Sequence, residues 1–221
     1  MVQIYEAIGH VLVSMPMEDC ARWLKTFALE ILQAVHAVAN RPQPATKDEL
    51  RDITMGLERL EAMLHVIRSF GDTLPQACVG TCPEFWAMFD NFLAKYGGNF
   101  PLADATSRVL RQGLNIFADA VLQVVPSSLS RMTACFESTQ FACYLWMVTK
   151  IIAAFGHEES AEFRALYQDS FTRCSAAVVQ LLQASSARET MDGTFWYLFS
   201  NALVTENTFQ CWKTTRACRY T

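Results

Sequence analysis

The chain has 221 residues, 52% hydrophobic and 18% charged, a balance that can bury a substantial core and excludes wholesale disorder. A formal net charge of -4 and a pI near 5.6 exclude the basic face that general nucleic-acid binding needs, and suit basic partners instead. With 9 glycines and 7 prolines, long stretches are left free for uninterrupted helix, and the expected class is all-α.

In chain order, a first helix is expected from about Val2 to Ser14, stopped at Met15-Pro16, and a second from about Glu18 to Ala39. Trp23, Leu24, Phe27, Ile31, Val35 and Val38 form the expected inner stripe of the second. Arg41-Pro42-Gln43-Pro44-Ala45-Thr46 reads as a polar connector. Helix resumes from Lys47 to Phe70, stacking Leu50, Ile53, Leu57, Leu60, Leu64 and Ile67 on one face. Gly71 to Thr81, with Pro75 and Gly80, is the next expected connector, and Pro83 the first turn of a helix from Glu84 to Tyr96. That helix carries Phe85, Trp86, Met88, Phe89, Phe92 and Leu93.

Gly97-Gly98 breaks the pattern again. A helix from about Leu102 to Phe117 precedes one from about Ala120 to Phe136, disturbed in its middle by Pro126. Helices from Thr139 to Phe155 and from Glu159 to Ala184 follow, with Gly156 as the cap between them. Their stripes are Phe141, Tyr144, Val148, Ile151 and Phe155, then Phe163, Tyr167, Phe171, Cys174, Val178 and Leu181. A last helix is expected from Met191 to Val204, and beyond Asn207 the pattern is lost. Every stripe has helical spacing and none has strand alternation. Paired off, the helices make about four and a half hairpins of roughly 40 to 50 residues, stacked as an α-solenoid of the HEAT or armadillo kind. Such a row offers a surface for binding rather than a pocket for chemistry. The competing arrangement of the same helices is an ordinary bundle.

Convergent reactive groups are scarce. His10, His36, His65 and His157 fall in different expected helices or turns, without HExxH or Cys/His zinc spacing, and no P-loop, GxGxxG or GxSxG occurs. No cofactor, metal or enzymatic activity is expected. The cysteines, Cys20, Cys78, Cys82, Cys135, Cys143, Cys174, Cys211 and Cys218, include no CxxC pair. Most sit in apolar helical runs, as reduced core thiols of a cytosolic or nuclear protein do. Cys78-x3-Cys82 is expected in a connector, with a disulfide or redox role as its alternative reading, and Cys135 and Cys143 flank a turn as packing residues.

The opening MVQIYEAIGH has no basic region ahead of an apolar core, so no signal peptide is expected. No uncharged apolar run approaches the ~20 residues of a membrane span. Arg108 and Arg111 stand three apart on the Leu102 to Phe117 helix and can present two planar forks from one face, suited to carboxylates or phosphates. The alternative is a solvated face making ordinary surface ion pairs.

The runs VQIYEAIGHVLVSMPMEDCARWLKTFALEIL, LEAMLHVIRSFGDTLP, RMTACFESTQFACYLWMVTKIIAAFG and DGTFWYLFSNALV occur in this order. They resemble the middle-to-late HEAT repeats of importin-beta superfamily receptors, in particular the transportin-SR class with its fungal mRNA-transport-regulator relatives, over about Val2 to Val204. The resemblance implies a HEAT-repeat segment over 1–206 and a divergent tail over 207–221. It also implies a nuclear import receptor that shuttles between cytoplasm and nucleus through the nuclear pore. Such a receptor binds Arg-Ser-rich protein cargo on the concave surface of a superhelix, releases it when Ran-GTP binds, and meets nucleoporins in transit. Neither nucleic acid nor membrane is an implied direct partner.

The family's arginine-rich, cargo-contacting helix corresponds to the one holding Arg108 and Arg111, which become the implied cargo-binding residues. Ala105 and Asn115 stand where the family pattern has further arginines, so weaker recognition of phosphorylated cargo is expected. A full receptor is several times longer, with its principal Ran-binding surface in N-terminal repeats, and the chain is expected to be a fragment or a truncated gene model. The rival readings are a HEAT scaffold or adaptor of another pathway and a compact helical enzyme using a cysteine.

Overall fold

The computed structural model describes residues 2–67, 76–156 and 160–183. Among them every regular element is helical: α1 (Val2–Val13), α2 (Met17–Asn40), α3 (Lys47–Ile67), α4 (Gln76–Tyr96), α5 (Phe100–Phe117), a 3₁₀ segment (Ala118–Val124), α6 (Val125–Thr139), α7 (Ala142–Phe155) and α8 (Ala161–Gln183). The fold is all-α, as the stripes require. The chain divides into two compact units, Met1–Arg131 and Met132–Thr221.

Local chemistry sets the helix ends. Pro16 precedes α2, whose first turn carries Glu18 and Asp19, where negative charge favours the helix dipole. A capping box opens α3: the Thr46 hydroxyl accepts the Glu49 N–H at 3.2 Å, and the Glu49 carboxylate accepts the Thr46 N–H at 2.7 Å. Arg41 donates a two-pronged contact to the same carboxylate, at 2.8 and 2.6 Å, and thereby folds the connector back onto α3. At the end of α6, Gln140 adopts a left-handed φ of 59° and its N–H returns to the Phe136 carbonyl at 2.7 Å.

In Met1–Arg131, α1, α3 and α5 lie side by side in one layer, and α2, α4 and the 3₁₀ segment in the other. Neighbours within a layer run parallel. Arg108 and Arg111 of α5 meet Glu58 and Glu61 of α3, an offset of 50 at both positions. Lys95 and Tyr96 of α4 reach the end of α2 and its connector at Arg41 and Ala45, with offsets of 54 and 51. Gly9 lets α1 come so near α3 that a Cβ there would lie 3.0 Å from the Val66 Cβ. Near-constant offsets, with consecutive helices assigned to opposite layers, are what stacked helix hairpins produce. Leu57, Leu60, Phe89, Phe92, Leu102 and Val109 are buried in the interior they share.

In Met132–Thr221, α7 buries Tyr144, Val148, Ile151 and Phe155, and α8 buries Tyr167, Cys174 and Val178, on the faces the stripes predict. The Tyr167 hydroxyl donates to the Phe155 carbonyl at 3.0 Å, tying the start of α8 to the end of α7. Arg173 of α8 clasps Glu137 of α6, and its guanidinium holds that carboxyl below its usual range.

The structure corrects several sequence expectations. α4 begins at Gln76, so residues 76–81, expected as connector, are helical; Cys78 and Cys82 lie in the first two turns and Pro83 in the third. Pro83 has no N–H to return to the preceding turn, and the helix runs through the position regardless. The expected Ala120 to Phe136 helix is two elements, and Pro126 is the second residue of α6, in the turn where an amide proton is not needed. α7 starts at Ala142 rather than Thr139 because the left-handed turn at Gln140 separates it from α6.

Trp23 and Phe27 are 44% and 37% exposed rather than internal. Burial in α2 is concentrated in Leu32, Val35, Val38 and Ala39, and the first half of the helix adds only Cys20. Gly156 does cap α7, its N–H bonding the Ile152 carbonyl at 2.7 Å, but in the right-handed region at φ -65°. The expected Met191 to Val204 helix, the tail 207–221, His157, Cys211 and Cys218 lie outside the described residues. Among the described residues, no helix is long and apolar enough to cross a membrane.

Candidate functional site

Arg108 and Arg111 project from α5 onto α3, and both are engaged by carboxylates. Arg108 lies between Glu58 of α3, at 3.5 Å, and Asp104 one turn earlier on α5, at 3.2 Å. Arg111 meets Glu61 at 3.4 Å. The two pairs repeat the same spacing on both helices, so parallel packing lines them up as rungs of a ladder.

The rungs differ in depth. Arg108, Glu58 and Asp104 keep 36%, 41% and 40% of their side-chain surface, whereas Glu61 keeps 15%. Glu61 also accepts a hydrogen bond from the amide of Gln112 at 2.9 Å, and Gln112 has no exposed surface. Because a carboxylate only accepts, the amide must present its NH₂ end there. The same nitrogen lies 3.2 Å from His65 Nδ1, which is therefore the accepting nitrogen of that ring. The outer rung is a solvent-facing anion site already filled by carboxylates. The inner rung is a half-buried hydrogen-bonded network joining the two helices.

The spacing of Arg108 and Arg111 is legible in the sequence, and the structure does bring them to one face. Glu58, Glu61, Asp104 and Gln112 were not foreseen. Their signal lies in the Glu58/Glu61 pair, spaced like the arginines and 50 residues earlier.

A second feature of this unit is an apolar groove of about 640 Å³. Leu24, Ala28 and Leu32 of α2 face Phe85, Trp86 and Phe89 of α4, above Leu60 and Leu64 of α3 and Val109 and Gly113 of α5. Glu18, Arg22 and Lys25 supply its charged edge. Gly113 is required where α5 passes the Trp86 ring: a Cβ there would sit 2.6 Å from the nearest ring carbon. Its lining suits apolar side chains.

Four described cysteines, Cys20, Cys135, Cys143 and Cys174, are buried thiols in no disulfide. Burial pushes the Cys174 thiol up to about 11, which leaves it almost wholly protonated and a poor nucleophile near neutrality. Burial also raises the Tyr144 hydroxyl, which is hydrogen-bonded with Cys135 across the turn between α6 and α7. Among the described residues no cluster of His, Cys, Asp and Glu is arranged to hold a metal ion.

Comparison with curated proteins gives no match. Residues 76–185, from the start of α4 past the end of α8, match the family model described as the Transportin-3/Importin-13 fourth TPR domain. That match, on an all-α fold of stacked hairpins, supports a place for the chain in the importin-beta-like transport receptor family.

Proposed function

We propose that the chain is part of a nuclear import receptor that binds Arg-Ser-rich protein cargo through the α3/α5 seam, under the control of Ran-GTP and with nucleoporin contacts in transit. The observation that carries this reading is the match of residues 76–185 to a transportin-3/importin-13 repeat domain, which includes the helix holding Arg108 and Arg111. The mechanism is reversible binding without a covalent step: cargo phosphates go to the two guanidinium groups, cargo arginines to the carboxylates beside them. The receptor's place is then the cytoplasm and the nucleus in turn.

The test is capture of the chain on phosphorylated and unphosphorylated Arg-Ser-rich baits, with a neutral Gly-Ser bait as control. Wild type should be retained on both Arg-Ser baits. Arg108→Glu with Arg111→Glu should lose binding to the phosphorylated bait by about tenfold or more. Equal retention on the neutral bait, or no effect of the double substitution, would reject the assignment.

A further inference from the structure

The outer rung has a feature that ordinary cargo binding does not require: the arginine offered to a ligand is already held by the protein's own carboxylates. We propose that Glu58 and Asp104 are specificity residues, which let Arg108 accept a phosphate only from a segment that brings arginines to the two carboxylates it displaces. This inference rests on the cargo reading above and names the ligand pattern that reading leaves open.

The argument is one of charge. Arg108 is one cation between two anions, Glu58 at 3.5 Å and Asp104 at 3.2 Å. A phosphate monoester brings a charge of about -1.5 to -2. Entering alone, it meets a group that is already net negative and leaves both carboxylates unpaired beside it, an arrangement repelled at short range. Entering between two arginines, it gives Arg108 a stronger partner, while each carboxylate gains a guanidinium in exchange for the shared one. Two internal contacts become three external ones, and the group is left no more negative than before, at about -0.5 to -1 against the -1 of Arg108, Glu58 and Asp104 alone.

Exposure allows the exchange. All three side chains keep more than a third of their surface, and exposed ion pairs are weak and readily exchanged. The inner rung is built differently. Glu61 is shielded and bonded by both Arg111 and the buried Gln112, so releasing it would take from a buried amide the nearer of its two acceptors. Arg111 thus meets a phosphate without releasing Glu61, which keeps the register of α3 on α5, and Arg108 is the position that opens.

The experiment measures affinities by fluorescence anisotropy for two short labelled peptides, one alternating arginine with phosphoserine and one alternating citrulline with phosphoserine. Citrulline keeps the arginine shape without its charge. Wild type should prefer the arginine peptide by about tenfold or more, and Glu58→Gln with Asp104→Asn should cut that preference to about threefold or less, mainly by strengthening the citrulline peptide. Glu6→Gln with Glu30→Gln removes two negative charges elsewhere on the exposed surface and should leave the preference as in wild type.

If both double variants shift the preference equally, general electrostatics explains it and the inference falls. If Arg108→Gln weakens phosphopeptide binding while Glu58→Gln with Asp104→Asn leaves the preference intact, the cargo reading stands and this inference alone fails. If wild type binds neither peptide, or neither Arg108→Gln nor Arg111→Gln matters, the cargo reading fails and takes the inference with it. Thermal unfolding of each variant shows that it is folded.

Discussion

A leucine with no exposed surface and a leucine that floors a groove should not cost the same to truncate. Leu57 is 0% exposed, while Leu60, three residues on and 3% exposed, lines the groove between α2 and α4. Leu57→Ala leaves a closed cavity and should cost toward the top of the range of about 2–5 kcal/mol. Leu60→Ala widens an existing open space and should fall toward the bottom. Val148→Ala, at 2% exposed, should cost less than Leu57→Ala because fewer atoms are removed. Urea unfolding of the three variants checks the order, and costs near zero would mean that the inner stripes are misassigned. The opposite sign is expected at Gln140. Its φ of 59° is strained for a side chain with a Cβ and free of strain for glycine, so Gln140→Gly should stabilise by about 1 kcal/mol.

At the scale of the element, the ends of α3 and the approach of α4 to α5 are set by single residues. Thr46→Ala removes the hydroxyl that accepts the Glu49 N–H and should cost about 1 kcal/mol. Arg41 and the Thr46 groups hold the Glu49 carboxyl well below its ordinary 4.5, down to about 2. The sign follows from that depression: the contribution is complete above pH 4.5 and is lost as the pH falls toward about 2. Wild type should therefore melt above Glu49→Gln at neutral pH, with the gap closing across that acid window. A gap that persists at the acid end would mean that ionisation is not what holds the connector. Gly113→Ala forces its methyl to 2.6 and 2.8 Å from the Trp86 ring and should cost about 1–3 kcal/mol, with near-ultraviolet circular dichroism of the tryptophan changing in step.

The stripes of α3, α7 and α8 were legible because three- and four-residue spacing is a local property. The start of α4 departs from the sequence expectation because Gly80 and Pro83 are strong breakers in isolation, yet helix continues through both. Trp23 and Phe27 are exposed against expectation because periodicity shows that a face exists, not how far the neighbouring helix extends along it. The arginine pair was visible and its carboxylate partners were not, since a pairing across 50 residues depends on how two hairpins stack. Those same-layer offsets of 50 to 54 run beyond the 34-residue spacing of a TPR unit and lie nearer the 40–47 of a HEAT or armadillo unit, although the matching family carries the TPR label.

For the whole molecule, net charge and local charge lead to opposite expectations that one substitution can separate. The chain carries -4, and Arg108→Glu with Arg111→Glu takes it to -8, since each exchange alters the charge by two. An unphosphorylated Arg-Ser bait is strongly basic and is drawn by the field of the entire surface, which acts over about 10 Å at 0.1 M salt. Its association should therefore quicken in the double variant. A fully phosphorylated bait is net negative, since each phosphate at about -1.5 to -2 outweighs its arginine; it is repelled by that field and also loses the two guanidinium groups its phosphates would meet, so its complex should dissociate faster. Stopped-flow association and dissociation rates, taken with both baits from low to high salt, check the two signs separately. The unphosphorylated association rate should fall steeply as salt rises, whereas the faster dissociation of the phosphorylated complex from the double variant should persist at high salt, where the net-charge field is screened. Should the double variant's effect on the phosphorylated complex vanish at high salt, the arginines would be acting through net charge rather than as a place where phosphate is held.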